Sequence, residues 1–176
     1  GDVNADGFPD LLVGRDDQSS FLLWGGDHLQ GTLDLRNVDS RWGVLLQGAP
    51  SVYEAGDING DGFADIAVGL PHDSVLDKAH AGRVVILFGN AKWPGVVDIQ
   101  PMCSGTLSPI DYVVVEGSQA FEAFGTSIAA LGDIQNDGFG DIVIGAPFQS
   151  LPGELRLEAP GAAYVIQGKN LFQSMQ

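Results

Sequence analysis

The sequence has little cysteine, few basic residues and no long apolar run. Its one cysteine, Cys103, excludes a disulfide within the chain. Lysine and arginine together number 8 against 23 acidic residues, so the formal net charge is −15. Recognition of nucleic-acid phosphates needs clustered basic side chains, and none cluster here, so we expect no nucleic-acid partner. No apolar run approaches the roughly 18 residues of a membrane helix, so no membrane span is expected in this segment.

Recognisable catalytic motifs are also missing. The three histidines, His28, His72 and His80, lie among polar turn residues, and neither G-x-S-x-G nor H-E-x-x-H occurs. Cys103 lies in a connector rich in proline and serine, where a free thiol is expected rather than a nucleophile. The sequence therefore predicts no catalytic residues, and we expect a protein that is not an enzyme.

Glycine and short apolar runs dominate what is present. The chain holds 25 glycines, and 44% of its residues are hydrophobic, which is enough for one core. Its apolar runs are short and separated by turn residues, and no amphipathic helical spacing is sustained. This pattern predicts an all-β, turn-rich fold.

A ten-residue motif occurs three times, each time followed by a short apolar run. The copies span Gly1–Asp10, Gly56–Asp65 and Gly132–Asp141. Counted from the first aspartate, positions 1, 3, 5 and 9 carry oxygen-bearing side chains and position 6 is glycine. Alternate positions of a tightly curled loop can point at one centre, and glycine permits the positive φ that brings position 9 back. Such oxygen ligands favour Ca²⁺ over zinc or copper.

Each predicted site has four side-chain ligands and the backbone carbonyl of the phenylalanine at position 7, and the chain would bind up to three Ca²⁺. The first loop would use Asp2, Asn4, Asp6, the Phe8 carbonyl and Asp10. The second would use Asp57, Asn59, Asp61, the Phe63 carbonyl and Asp65. The third would use Asp133, Gln135, Asp137, the Phe139 carbonyl and Asp141. Because Gln135 is one methylene longer than asparagine, we expect the third site to be the least regular.

The motif has two other interpretations, an ordinary turn and an EF-hand. Asp, Asn and Gly dominate ordinary turns, but three copies in one register argue against turns alone. The motif also begins like an EF-hand, which needs a glutamate at position 12 and flanking helices. Position 12 is Val13, Val68 or Ile144 here, and the flanking runs are short and β-branched. The EF-hand therefore fails on both counts.

The combination of loop, apolar strand and terminal glycine resembles the FG-GAP repeat of the integrin α-subunit β-propeller. The third copy carries the whole signature, with Phe124–Gly125 before the loop and Gly145–Pro147 after it. The second copy ends in Gly69–Pro71, close to the family pattern. The first ends in Gly14–Asp16 and departs from it, and no Phe-Gly precedes the second loop.

The resemblance implies a single β-propeller segment, residues 1–176, of about three four-stranded antiparallel blades. The approximate units are 1–50, 51–117 and 118–176, with 90–111 as a connector inside the second. Residues 148–160 are expected to form a polar connection, and 169–176 the start of another. Because propellers close with four to eight blades, the ring would be completed by a second copy or by further chain. We expect a homodimer through open blade edges.

The resemblance also implies a role. It predicts a calcium-binding, integrin-α-like segment acting in extracellular adhesion or protein–protein recognition, with structural Ca²⁺ and an unidentified protein or glycan ligand. Weak calcium sites fill where calcium is millimolar, so the expected location is outside the cell or at its surface. The alternative is a non-catalytic accessory propeller domain of a secreted, phospholipase-like hydrolase.

Overall fold

Short strands separated by loops make up almost all of the regular structure. The structure is a computed structural model that describes residues 1–15, 18–149 and 160–173. The strands are β1 (Leu11–Gly14), β2 (Ser19–Leu23), β3 (Gly43–Gln47), β4 (Ser51–Gly56), β5 (Asp65–Leu70), β6 (Arg83–Leu87), β7 (Val96–Asp98), β8 (Tyr112–Glu116), β9 (Ser127–Gly132), β10 (Asp141–Ala146) and β11 (Ala162–Gln167). Two 3₁₀ turns span Leu35–Asn37 and Met102–Ser104, and helix α1 spans Gly168–Gln173. The all-β prediction is confirmed.

The strands form three small sheets. The first has the order β1-β2-β3-β7, the second β4-β5-β6-β8 and the third β11-β10-β9. Strands that follow one another along the chain pair antiparallel, as in β4-β5-β6 and β9-β10-β11. The strand that directly follows the predicted metal loop is β1 in the first sheet, β5 in the second and β10 in the third. These sheets correspond to the blades that the sequence predicts.

One strand corrects the predicted layout. The segment 90–111, predicted to be a connector, contains β7, which pairs in parallel with β3 of the first sheet. Val97 of β7 is 2% exposed, so the strand joins the first sheet by burying an apolar side chain in the core. A chain segment that lies after the second loop thus completes the first sheet. Local sequence periodicity does not reveal a pairing between such distant segments.

The ends of the chain also differ from the antiparallel four-stranded layout. No strand precedes β1 on its side of the first sheet, and the third sheet has three strands among the described residues. Most of the predicted connection 148–160 lies outside the described residues. Residues 169–173, expected to begin a connection, belong to helix α1, and 174–176 are outside the described part of the chain. No helix of the described residues is long and apolar enough to cross a membrane.

The core consists of two layers, one on each side of the second sheet. Alternation along β5 separates them, because successive side chains of a strand point to opposite faces. Val68 packs in the layer against the first sheet, with Leu22 and Leu46. Ala67 packs in the layer against the third sheet, with Ile142. Each fully buried aliphatic side chain contributes about 1.5 to 3 kcal/mol. The stacked sheets bring the three loops to one end of the molecule.

Candidate calcium loops

The glycine at position 6 of each loop adopts the conformation that the motif requires. The φ angles of Gly7, Gly62 and Gly138 are +91°, +90° and +91°. L-residues with a side chain rarely adopt such angles, whereas glycine does so at little cost. The predicted reversal of the chain at position 6 is therefore present in all three loops.

In the second loop, the side chains at positions 1 and 3 accept from the backbone amide of position 5. The N–H of Asp61 donates to Asp57 Oδ1 and to Asn59 Oδ1, each 3.0 Å away. Asn59 Nδ2 donates to Asp61 Oδ2 over 2.6 Å. The N–H groups of Gly62 and Phe63 donate to Asp57 Oδ2 and Asp61 Oδ1, both at 2.9 Å. The loop is thus curled so that three predicted ligands share its interior.

The first loop repeats this arrangement. The Asp6 N–H donates to Asp2 Oδ1 at 3.1 Å and to Asn4 Oδ1 at 3.0 Å, and Asn4 Nδ2 donates to Asp6 Oδ2 at 2.9 Å. In the third loop, Asp133 accepts from the N–H groups of Asp137 at 3.0 Å and Gly138 at 2.8 Å. The backbone bond from Gly138 is the largest cause of a lowered pKa at Asp133. All three loops therefore hold the position-1 carboxylate by backbone donors.

The aspartate at position 9 of the second loop is buried and joins the loop to the sheet. Asp65 is 0% exposed. Its Oδ2 accepts from the N–H of Ile58 at 2.7 Å, inside the loop. Its Oδ1 accepts from the N–H of Gly89 at 2.8 Å, just after β6. One side chain thereby satisfies two backbone donors and connects the loop to the third strand of its sheet.

The other two loops have the same connection. Asp10 accepts from Val3 N at 2.8 Å and Gly25 N at 2.9 Å, and Asp141 accepts from Ile134 N at 3.0 Å and Gly168 N at 3.2 Å. The sequence shows a glycine at the end of each of these apolar runs, but it did not predict that the N–H of this glycine donates to the aspartate at position 9. A Cβ on Gly89 would lie 2.5 Å from the Ala64 carbonyl oxygen, so the close approach needs glycine.

Burial makes the charge on Asp65 costly. Its pKa is raised to about 7 in total: desolvation is the largest cause, the nearby negative charges of Asp61 and Asp57 add to the rise, and the bonds from Gly89 and Ile58 oppose it. Burial is likewise the largest cause of a raised pKa at Asp10. An ionised carboxylate in such surroundings is stabilised by a nearby cation.

The donor set fits calcium. Among the described residues, no three Asp, Glu, His or Cys side chains already converge as a metal cluster. The loop carboxylates accept from their own backbone amides instead. Each carboxylate oxygen has a second lone pair, and the amide oxygen of Asn59 shares the interior with Asp57. The loops present carboxylate and amide oxygens, which are Ca²⁺ ligands. Ligation by these side chains and by the carbonyls of Phe8, Phe63 and Phe139 stays a prediction.

Adjacent loops are linked through their backbones at equivalent positions. The Asp2 carbonyl accepts from the N–H of Ala64 at 3.0 Å, and the Asp57 carbonyl accepts from the N–H of Gly140 at 2.6 Å. In each case position 1 of one loop accepts from position 8 of the next. A movement of one loop on binding an ion would therefore be transmitted to the neighbouring loop through this hydrogen bond.

Two of the histidines and the cysteine have structural partners. The Nδ1 atom of His80 lies 2.8 Å from the carbonyl oxygen of His72, and the two rings are 6.2 Å apart at their centroids. Cys103 is half-buried, with its Sγ 3.7 Å from the Ile99 carbonyl oxygen. Burial raises the pKa of the Cys103 thiol, which disfavours the thiolate that a nucleophile needs.

Comparisons with known proteins follow the same repeats. The family model described as FG-GAP-like repeat matches residues 2–68, and the model described as FG-GAP repeat matches residues 54–87 and 124–166. Integrin alpha-5 of Xenopus laevis is 34% identical over 115 residues, 65% of this chain and 9% of that protein. Phosphatidylinositol-glycan-specific phospholipase D of Bos taurus is 33% identical over 117 residues, 66% of this chain and 13% of that protein. Integrin alpha pat-2 of Caenorhabditis elegans is 28% identical over 184 residues, covering 96% of this chain and 13% of that protein. The chain thus spans only a small part of these relatives.

Proposed function

This chain belongs to the FG-GAP repeat family, and from that premise we propose that it is a calcium-stabilised propeller segment working in adhesion or protein recognition outside the cell. The observation that carries the metal part is the second loop. There the oxygens of Asp57 and Asn59 accept from one amide, and Asp61 bonds to Asn59. Next to them, Asp65 is buried with a raised pKa. A divalent cation would offset this concentration of negative charge.

The calcium in this proposal is structural. The loops fix the hairpins at one end of the stacked sheets, and the described residues show no catalytic arrangement near them. The acidic loops need an ion that is abundant where the protein works, and calcium is millimolar outside the cell. This is the support for an extracellular or cell-surface location.

Calorimetric titration of the metal-free chain with calcium chloride tests the metal part. We expect saturable binding of up to three ions, and little heat with magnesium, because Mg²⁺ requires octahedral geometry and gives up its water reluctantly. A Gly62→Ala variant is the matched control, since it keeps every ligand but strains the turn at φ +90°; its calcium affinity should fall. Absence of binding in the parent chain would contradict the proposal.

The resemblance to the phospholipase favours a second candidate. This segment would then be an accessory propeller domain of a secreted hydrolase, as the 33% identity to the bovine enzyme allows. The complete coding sequence separates the two candidates. A hydrolase domain in the same polypeptide favours the accessory role, and a continuing series of repeats before a receptor-like region favours adhesion.

We also propose that the outer face of the third sheet mediates assembly of two copies. This face carries small and apolar side chains, and Val165 is 53% exposed while Leu131 is 39% exposed. Val143 pairs with both Val165 and Ala129, so these side chains form one row across the sheet. The corresponding row of the second sheet, which includes Ala67, is buried by the third sheet.

Among the described residues, the outer face of the first sheet is more covered than that of the third. Its Phe21 and Leu23 are 4% and 2% exposed. Leu23 shares a groove with Leu11 and with side chains of the segment from His28 to Leu35, which lies over this face. A head-to-tail ring would need both outer faces free. A two-fold dimer in which the third sheets of two copies pack together needs only one free outer face on each copy.

Replacing Val165 with aspartate is expected to convert a dimer into a monomer, because it places two like charges in an apolar contact. Light scattering would show a mass near 18.5 kDa for the variant and near twice that for the parent. Leu107→Asp is the control, since Leu107 is 98% exposed and lies in the segment that connects β7 of the first sheet to β8 of the second. A monomeric parent, or a variant that stays dimeric with an unchanged melting temperature, would contradict assembly through this face.

A further inference from the structure

In each sheet, the aspartate at loop position 9 accepts from the N–H of a glycine, and the residue that follows this glycine differs among the three sheets. Gly25, Gly89 and Gly168 donate to Asp10, Asp65 and Asp141 in the same way. The next residue is therefore held at an equivalent place beside each loop. It is Gly26 in the first sheet, Asn90 in the second and Lys169 in the third.

Lys169 reaches the third loop. Its Nζ lies 3.7 Å from Asp137 Oδ2, the carboxylate at position 5. The Asp137 side chain is 19% exposed and that of Lys169 is 47% exposed, so a partly exposed ammonium contacts a mostly buried acid. The net charge of the loop is reduced by this contact without a metal.

The same carboxylate atom has another partner in the first two loops. Asp6 Oδ2 accepts from Asn4 Nδ2 at 2.9 Å, and Asp61 Oδ2 accepts from Asn59 Nδ2 at 2.6 Å. In the third loop Gln135 stands at that position, and the described contacts include no such bond from it to Asp137. The longer side chain and the lysine therefore occur together, and the lysine replaces the amide at Oδ2.

We propose that Lys169 is an internal counter-ion of the third loop and makes it a weaker calcium site than the second loop. This inference rests on the proposed calcium binding. An ion entering the third loop must displace the ammonium from Asp137 and then meets its positive charge nearby. Beside the second loop, the corresponding residue is Asn90, which is neutral and does not repel an incoming ion. The third loop consequently keeps its conformation with less dependence on calcium.

Exchange of the two residues tests the proposal. Lys169→Asn gives the third loop the neighbour of the second, and Asn90→Lys does the reverse. Lys78→Asn is the control for net charge, because Lys78 lies in the β5–β6 connection, at the opposite end of the second sheet from the loop. Calcium chloride is titrated into each 176-residue chain. The amide resonances of Gly62 and Gly138 report the second and third loops separately.

We expect the parent chain to fill the second loop before the third. Lys169→Asn should tighten calcium binding reported by Gly138 by up to about fivefold, and Asn90→Lys should weaken the binding reported by Gly62 by a similar factor. Both effects should shrink at high ionic strength, since the contact is partly exposed. Lys78→Asn should change neither site.

Two failures are distinguishable. If neither glycine resonance responds to calcium in any chain, the proposed metal binding itself is wrong. If both respond, but with equal affinities in the parent and no change in Lys169→Asn, calcium binding stands and the role of Lys169 is overturned.

Discussion

Replacing Asp65 with alanine is expected to lower the free energy of unfolding by about 2 to 6 kcal/mol even in chelator, and by more in calcium because a predicted ligand is also removed. The carboxylate satisfies the N–H groups of Ile58 and Gly89 at 2.7 and 2.8 Å in a fully buried position. Each buried donor left without an acceptor costs about 1 to 3 kcal/mol. Urea unfolding in calcium and in chelator measures the loss.

Asp61→Ala is the matched control for this prediction. It also removes a carboxylate from the second loop, but Asp61 is exposed and accepts only from within the loop. In chelator we expect Asp61→Ala to be much less destabilising than Asp65→Ala. Equal losses for the two variants in chelator would show that the connection from Asp65 to the end of β6 contributes little. Asp65→Asn should be intermediate, because the amide keeps one acceptor oxygen.

Removing calcium is expected to lower stability by about 2.7 kcal/mol for a loop whose ion was present at ~100 times its dissociation constant. The physical reason is mass action, since the ion binds the curled loop and not the unfolded chain. For a chain of this size each 1 kcal/mol corresponds to roughly 2 to 4 °C in melting temperature. Thermal unfolding followed by circular dichroism, with calcium and then with chelator, gives the shift.

Variants in the loops show where this stabilisation arises. Asp61→Ala and Asp137→Ala should lower the melting temperature chiefly in calcium, and Asp61→Ala by more if Lys169 weakens the third site. Asp77→Ala, in the β5–β6 connection, removes the same charge far from the loops and should leave the calcium effect intact. If Asp61→Ala were equally destabilising in calcium and in chelator, calcium would have no structural role at this loop.

The loops were the part of the site that could be predicted from local sequence. Glycine at position 6 is needed for a backbone conformation with positive φ, and Asp57, Asn59 and Asp61 alternate along a short segment. Such features act over a few residues, so the motif is sufficient to place them. Local sequence could not predict which loop ligands are exposed or that Asp65 is buried, because burial depends on which segments pack against a residue.

The contacts that join distant segments could not be predicted in this way. Asp65 bonds to Gly89, and Lys169 approaches Asp137, across stretches of chain whose lengths differ from one sheet to the next. The pairing of β7 with β3 is of the same kind, since the short run Val96–Asp98 has no distinguishing pattern. In each case the stacking of sheets, rather than local conformational preference, brings the partners together.

The sequence by itself determined the family, the all-β fold and the three loops with their oxygen-bearing side chains, because these depend on residue types at short spacing. Only the tertiary structure decided which carboxylates are buried, which loop has a lysine beside it and which sheet face is left open. Burial, long-range charge pairing and uncovered surface are properties of packed sheets. They arise when segments far apart in the chain become neighbours.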